Sequence, residues 1–192
     1  MIKVAIFASG SGSNAENLVQ YFSKNNDVKI VSIYCNNPQA FVIERAKKFN
    51  LPCHIFNKQE FVDEGKVSGL LAEENIDFII LAGFLWLIPK WLVAKYQSKI
   101  INIHPALLPK YGGKGMYGHF VHEAVKKNND SESGITIHFV NEHYDEGAVI
   151  FQASVTLDST DTPDTIAQKV HGLEYEYFPQ VAENVIHKIF KS

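Results

Sequence analysis

The chain has 192 residues, 46% hydrophobic and 20% charged, which is enough apolar material for a packed core and excludes a disordered protein. Its 18 Lys and Arg against 21 Asp and Glu leave a net charge of −3, so there is no basic excess for a general grip on nucleic acid. The longest apolar run, residues 78–89, falls well short of the ~20 residues that cross a bilayer. Two cysteines cannot build a disulfide framework, and the Met-Ile-Lys-Val start carries no export signal. These features predict one cytoplasmic domain over residues 1–192 that engages neither nucleic acid nor membrane.

Short apolar runs alternate with amphipathic stretches along the first half of the chain. A strand is predicted over 3–8 (KVAIFA), then a helix over 14–23, a strand over 29–34 and a helix over 39–49. A weak strand over 53–56 precedes a helix over 60–75, a strand over 78–82, a helix over 89–96 and a strand over 99–103. Continuous β-branched runs of this kind suit strands buried on both faces, so the pattern predicts an α/β, doubly wound, mostly parallel sheet. After Tyr111 the pattern changes. A helix is predicted over 118–127, and two alternating strands, 135–140 and 148–155, read as an antiparallel pair. Residues 162–189 read as a long C-terminal helix with Pro163 in its first turn, and Pro179 is expected to break or kink it.

Three segments carry polar groups where chemistry needs them. Ser9-Gly10-Ser11-Gly12-Ser13-Asn14 follows the first strand and opens a helix, whose free N–H groups and positive end suit an anion. Ser13 and Asn14 are candidate N-caps there. The second strand ends in Tyr34-Cys35-Asn36-Asn37, with no acid to hold a ribose hydroxyl, so a phosphate monoester suits the loop better than a dinucleotide. A tight strand–helix turn explains the loop equally well. In Ile101-Asn102-Ile103-His104-Pro105 the Asn and His lie two apart, on one side of a strand tip. An amide and an imidazole placed together can hold a developing oxyanion and move a proton. The loop Asn141–Gly147 brings Asp145, which is expected to reach His104 and favour its imidazolium form, although a solvated acidic turn has the same composition. His119 and His122 have H-x-x-H spacing without a third ligand, and read as surface helix residues, not a metal site.

These segments, in this order, together with Leu81-Ala82-Gly83-Phe84, Pro105-Ala106-Leu107-Leu108-Pro109 and Tyr144-Asp145-Glu146-Gly147, resemble the phosphoribosylglycinamide formyltransferase family of folate-dependent enzymes. The resemblance spans about residues 2–190. It implies a Rossmann-like formyltransferase fold and formyl transfer from 10-formyltetrahydrofolate to the amine of glycinamide ribonucleotide in purine (IMP) biosynthesis, with no metal. It further implies that Asn102, His104 and Asp145 are catalytic, and that Ser11, Gly12, Ser13 and Asn14 hold the substrate phosphate. His171 and Glu174, three apart on one helix face, would contact phosphate and ribose. Leu85, Trp86 and Leu87 would wall the site of the reduced folate, with Asn141, Glu142 and Tyr144 opposite. Ala106 stands where many relatives have Ser, and Trp86 where some have Arg. The glycine-rich stretch 112–118 looks expanded and reads as a lid or a local loop variant. The expected assembly is a monomer or a weak homodimer. A formyltetrahydrofolate deformylase or a tRNA formyltransferase would use the same clamp, but each is expected to carry a further domain. A non-catalytic nucleotide-binding module would leave the Asn102/His104 pair unexplained.

Overall fold

The computed structural model describes residues 1–191; Ser192, the last residue of the predicted domain, lies outside the described residues. Seven strands form one sheet: β1 (Ile2–Ala8), β2 (Val28–Cys35), β3 (Cys53–Ile55), β4 (Phe78–Leu81), β5 (Ile100–His104), β6 (Glu132–Phe139) and β7 (Val149–Thr156). Their spatial order is β3-β2-β1-β4-β5-β6-β7. The pairs from β3 through β5 are parallel, and β6 and β7 join antiparallel, as the sequence predicts.

Alternation along β1 explains the two-sided core. Val4, Ile6 and Ala8 face one apolar cluster, while Ala5 and Phe7 face another. The first cluster is covered by α1 (Ser13–Phe22), α2 (Val42–Lys48), α6 (His119–Lys127) and α7 (Pro163–Phe190). The second lies under α3 (Lys58–Val62), α4 (Lys66–Glu73) and α5 (Lys90–Lys95). The chain order switches direction between β1 and β4, and the crevice at the carboxyl ends of these strands is where such sheets bind ligands.

Two elements depart from expectation. The single helix over 60–75 is two helices, α3 and α4, separated at Asp63-Glu64-Gly65. Phe61 and Val67 are both buried in the same cluster. On one continuous helix, six residues at about 100° each would place them on different faces, so the break lets both pack inward. The other departure is α7, which runs unbroken through Pro179. Proline removes the N–H that would bond the carbonyl four residues back, here Tyr175. Asn17 of α1 donates its Nδ2–H to that carbonyl at 3.0 Å, so the vacated acceptor is satisfied from the neighbouring helix. Among the described residues no helix is long and apolar enough to cross a membrane.

Candidate active site

A cleft of about 590 Å³ opens at the carboxyl ends of β1, β4 and β5. Its walls include Ser11, Gly12, Ser13, Asn14, Leu85, Asn102, His104, Tyr144, Asp145, His171 and Glu174, so residues from distant parts of the chain share one space.

One end is the glycine loop. Gly12 has φ of 73°, and a Cβ there would run into the side chain of Val42. The loop is held by α2: Val42 N–H donates to the Gly10 carbonyl at 3.1 Å, and Arg45 Nε–H to the Ser11 carbonyl at 2.8 Å. The expected capping by Ser13 or Asn14 is absent. Gly12 is the N-cap, no side chain caps the first turn, and Ser13 and Asn14 are helical. The leading N–H groups of α1 are thereby left for an anion. Glu16, an acid in that turn, is neutralised by Arg45 and Lys48.

Beside the loop, α7 places Glu174 with only 5% of its surface exposed. Its Oε2 accepts hydrogen bonds from Asn14 Nδ2 at 2.9 Å and His171 Nδ1 at 2.7 Å. The bond to Glu174 outweighs burial and raises the pKa of His171. Because the carboxylate can only accept, Asn14 must turn its amide nitrogen toward it. Its Oδ1 is left buried and without a partner among the described residues.

The centre of the cleft is the tip of β5. His104 Nε2–H donates to the Tyr111 carbonyl at 2.7 Å, which directs its Nδ1 at Asp145 Oδ2, 3.6 Å away. Asp145 Oδ2 also accepts the Gly113 N–H at 2.9 Å. Gly147 closes this loop against the sheet, where a Cβ would collide with the Phe139 carbonyl. Burial would raise the Asp145 carboxyl, but the neighbouring His138 and His104 rings and the Gly113 N–H hold it below the usual carboxylate range. Asp145 reaches His104 and favours its imidazolium form as expected, but burial has the larger effect. Burial lowers the pKa of His104 more than Asp145 and the Tyr111 carbonyl raise it, so the resting ring is neutral.

His138 is a site residue that the sequence reading passed over. Asn102 and His138 are cross-strand partners on β5 and β6, as are His104 and Thr136. His138 Nδ1–H donates to the Phe139 carbonyl at 2.8 Å, so its Nε2 accepts from Asn102 Nδ2 at 3.1 Å. The second Asn102 Nδ2 hydrogen points at Asp145 Oδ1, 3.5 Å away, a contact at the weak limit. The run Ile135-Thr136-Ile137-His138 shows the period-2 signal, but its polar members are buried under the site loops instead of facing solvent. Thr136 Oγ1 pins the 105–109 segment by donating to the Ala106 carbonyl at 2.7 Å and accepting Leu108 N–H at 3.0 Å.

The predicted folate wall is only partly assembled. Trp86, Leu87, Asn141 and Tyr144 line an adjoining pocket of about 50 Å³, which shares Phe84, Asn102, Tyr144 and Asp145 with the cleft. That space is a small open recess beside the main cleft. Tyr144 spans it, its hydroxyl accepting the Leu87 N–H at 3.0 Å. Trp86 packs on Phe56, Phe61 and Phe84, with the Lys58 ammonium 4.6 Å from its ring centre. Glu142 lines neither space and pairs instead with Lys90 at 3.4 Å. The two helix histidines also part company. His119 is exposed beside Glu123 and Asp164, whereas His122, expected at the surface, is buried in the cleft wall. Among the described residues no cluster of three or more His, Cys, Asp or Glu is placed to hold a metal ion.

Comparison with known proteins accords with this geometry. Residues 2–182 match the family model described as formyl transferase. The chain is 37% identical over 191 residues to phosphoribosylglycinamide formyltransferase of Bacillus subtilis (strain 168), covering 97% of this chain and 95% of the relative. It superimposes on the crystal structure of phosphoribosylglycinamide formyltransferase from Bacillus Halodurans with a TM-score of 0.88, at 32% identity, over 97% of this chain and 96% of that one. The corresponding figures for glycinamide ribonucleotide transformylase 1 from Geobacillus kaustophilus are a TM-score of 0.84, 34% identity and coverage of 95% and 97%. With the match running across nearly the whole sheet and both walls of the cleft, the chain belongs to the formyl transferase family.

Proposed function

We propose that the protein transfers a formyl group from 10-formyltetrahydrofolate to the amine of 5'-phosphoribosylglycinamide. The observation that carries this reading is one cleft with an uncapped helix N-terminus at one end and Asn102, His104 and Asp145 at its centre. The full-length likeness to phosphoribosylglycinamide formyltransferases supports the choice of acceptor. The leading N–H groups of α1, with Ser11, Gly12 and Ser13 around them, hold the phosphate, and Glu174, oriented by Asn14 and His171, contacts the ribose. The folate supplies an activated formyl carbon. Its ring enters beside Leu85, Trp86, Leu87 and Asn141, with Tyr144 opposite. The loop that carries Asn141 and Glu142 offers backbone groups to the edge of that ring.

Asn102 meets the negative charge that develops on the formyl oxygen, using the Nδ2 hydrogen that rests weakly on Asp145. His138 keeps the amide turned the right way. His104 begins neutral, so its Nδ1 can accept the proton that the attacking amine loses and return it to the departing folate nitrogen. Asp145, 3.6 Å from that nitrogen, stabilises the transient imidazolium. The continuous sheet supports a single domain across residues 1–192, and a cleft formed within one chain supports a monomer or weak homodimer. Two free cysteines fit the reducing cytoplasm.

The test is to incubate the protein with 10-formyltetrahydrofolate, with and without glycinamide ribonucleotide, following folate absorbance and product mass. Folate should lose its formyl group only with the ribonucleotide present, and the product should gain it. Formate release without acceptor would make the protein a deformylase, and no turnover would make it a binding module.

A further inference from the structure

The cleft wall contains one buried polar group that the mechanism above leaves idle. His122 lies on α6 with Val121 and Val125 on the buried face, is only 4% exposed, and lines the cleft. Its Nδ1 is sealed from solvent and has no hydrogen-bond partner among the described residues. A buried polar group left in this state is destabilising. An orphaned N–H is rarer than an orphaned acceptor, so the sealed Nδ1 is best assigned the lone pair and Nε2 the hydrogen. Nε2 is then the ring's polar contact with the cleft. Burial pushes His122 down to about 4, against the opposing pull of Glu174, so the ring stays uncharged at neutral pH. The titratable groups around it are Glu174 and His171 of α7, His119 of its own helix and His104 of β5. His122 therefore shares the cleft with the Glu174 cluster and the β5 tip.

A neutral N–H donor beside a carboxylate acceptor suits one ligand group in particular. A hydroxyl accepts from the first and donates to the second, whereas a phosphate would face Glu174 without a compensating positive charge on the ring. We propose that His122 is a specificity-determining residue, which donates a hydrogen bond from Nε2 to a ribose hydroxyl of the phosphoribosyl substrate opposite Glu174. The inference rests on the substrate reading above. It adds a second sugar contact from a different helix, so that α6 and α7 together discriminate ribose from deoxyribose.

The experiment measures dissociation constants by calorimetry for phosphoribosylglycinamide and for its 2'-deoxy and 3'-deoxy analogues. Wild type is compared with His122→Leu and His122→Gln, with thermal melting recorded for each. Wild type should bind one of the two deoxy analogues about tenfold more weakly than the parent. His122→Leu should bind the parent about tenfold more weakly and discriminate against that analogue less than wild type does. His122→Gln, whose amide nitrogen reaches the Nε2 position, should recover most of the parent affinity. If leucine does not fold, His122→Asn, whose shorter amide stops short of Nε2, carries the same expectation. Equal losses on all three ligands, or no loss on any, would overturn the role of His122 while leaving the substrate reading intact. A wild type that does not bind the parent would overturn both.

Discussion

His104 works only if its protonation state is set by its surroundings. Burial lowers its pKa and Asp145 opposes that, so removing the Asp145 charge must lower it further. In an NMR titration the His104 ring should therefore titrate below 6.5, and in Asp145→Asn its midpoint should move to lower pH. An unchanged or higher midpoint would separate the two groups. At the other end of the cleft, Gly12 permits a left-handed turn against Val42. Gly12→Ala should raise the KM for the ribonucleotide about tenfold more than that for the folate; equal changes in both would place the phosphate elsewhere. Asn102 and His104 were legible in the sequence because two polar residues flanked a buried Ile at strand spacing. His138 and His122 were not, because covering loops and helices decide their burial. The charge state of His104 was likewise hidden, since it depends on a balance between desolvation and a carboxylate more than thirty residues away.

At the scale of elements, α7 carries two polar residues of the cleft, His171 and Glu174, on a helix that its own Pro179 should disrupt. Asn17 reconciles the two by bonding the Tyr175 carbonyl, one turn along α1 from the Asn14 contact with Glu174. Asn17→Ala should lower unfolding free energy by ~1 kcal/mol in urea melts. In a Pro179→Ala background, where residue 179 regains an N–H for that carbonyl, the same change should cost close to nothing. Equal costs in both backgrounds would show that Asn17 does not compensate for the proline. The sequence showed where α7 begins, through Thr162 and Pro163, and contained the proline conflict. Its resolution lies on another helix some 160 residues away and had no local signal. The split of α3 from α4 was hidden for a similar reason, since only the shared packing of Phe61 and Val67 requires the break.

For the whole molecule, alternating apolar runs predicted the parallel sheet and its late antiparallel strands, because buried strands and crossover helices impose strong periodicities, whereas the β1/β4 switch emerged only with the strand order. The small pocket beside Trp86 was not legible, because its volume depends on how far Tyr144 reaches across to Leu87. The central claim is that this fold brings together an amide that stabilises the formyl oxygen and an imidazole that moves the proton. Its most direct test is the kcat for formyl transfer to glycinamide ribonucleotide in Asn102→Ala and His104→Ala, each checked for native melting behaviour. Each should fold and lose about 10²–10³ in rate; folded variants that keep wild-type turnover would contradict the account.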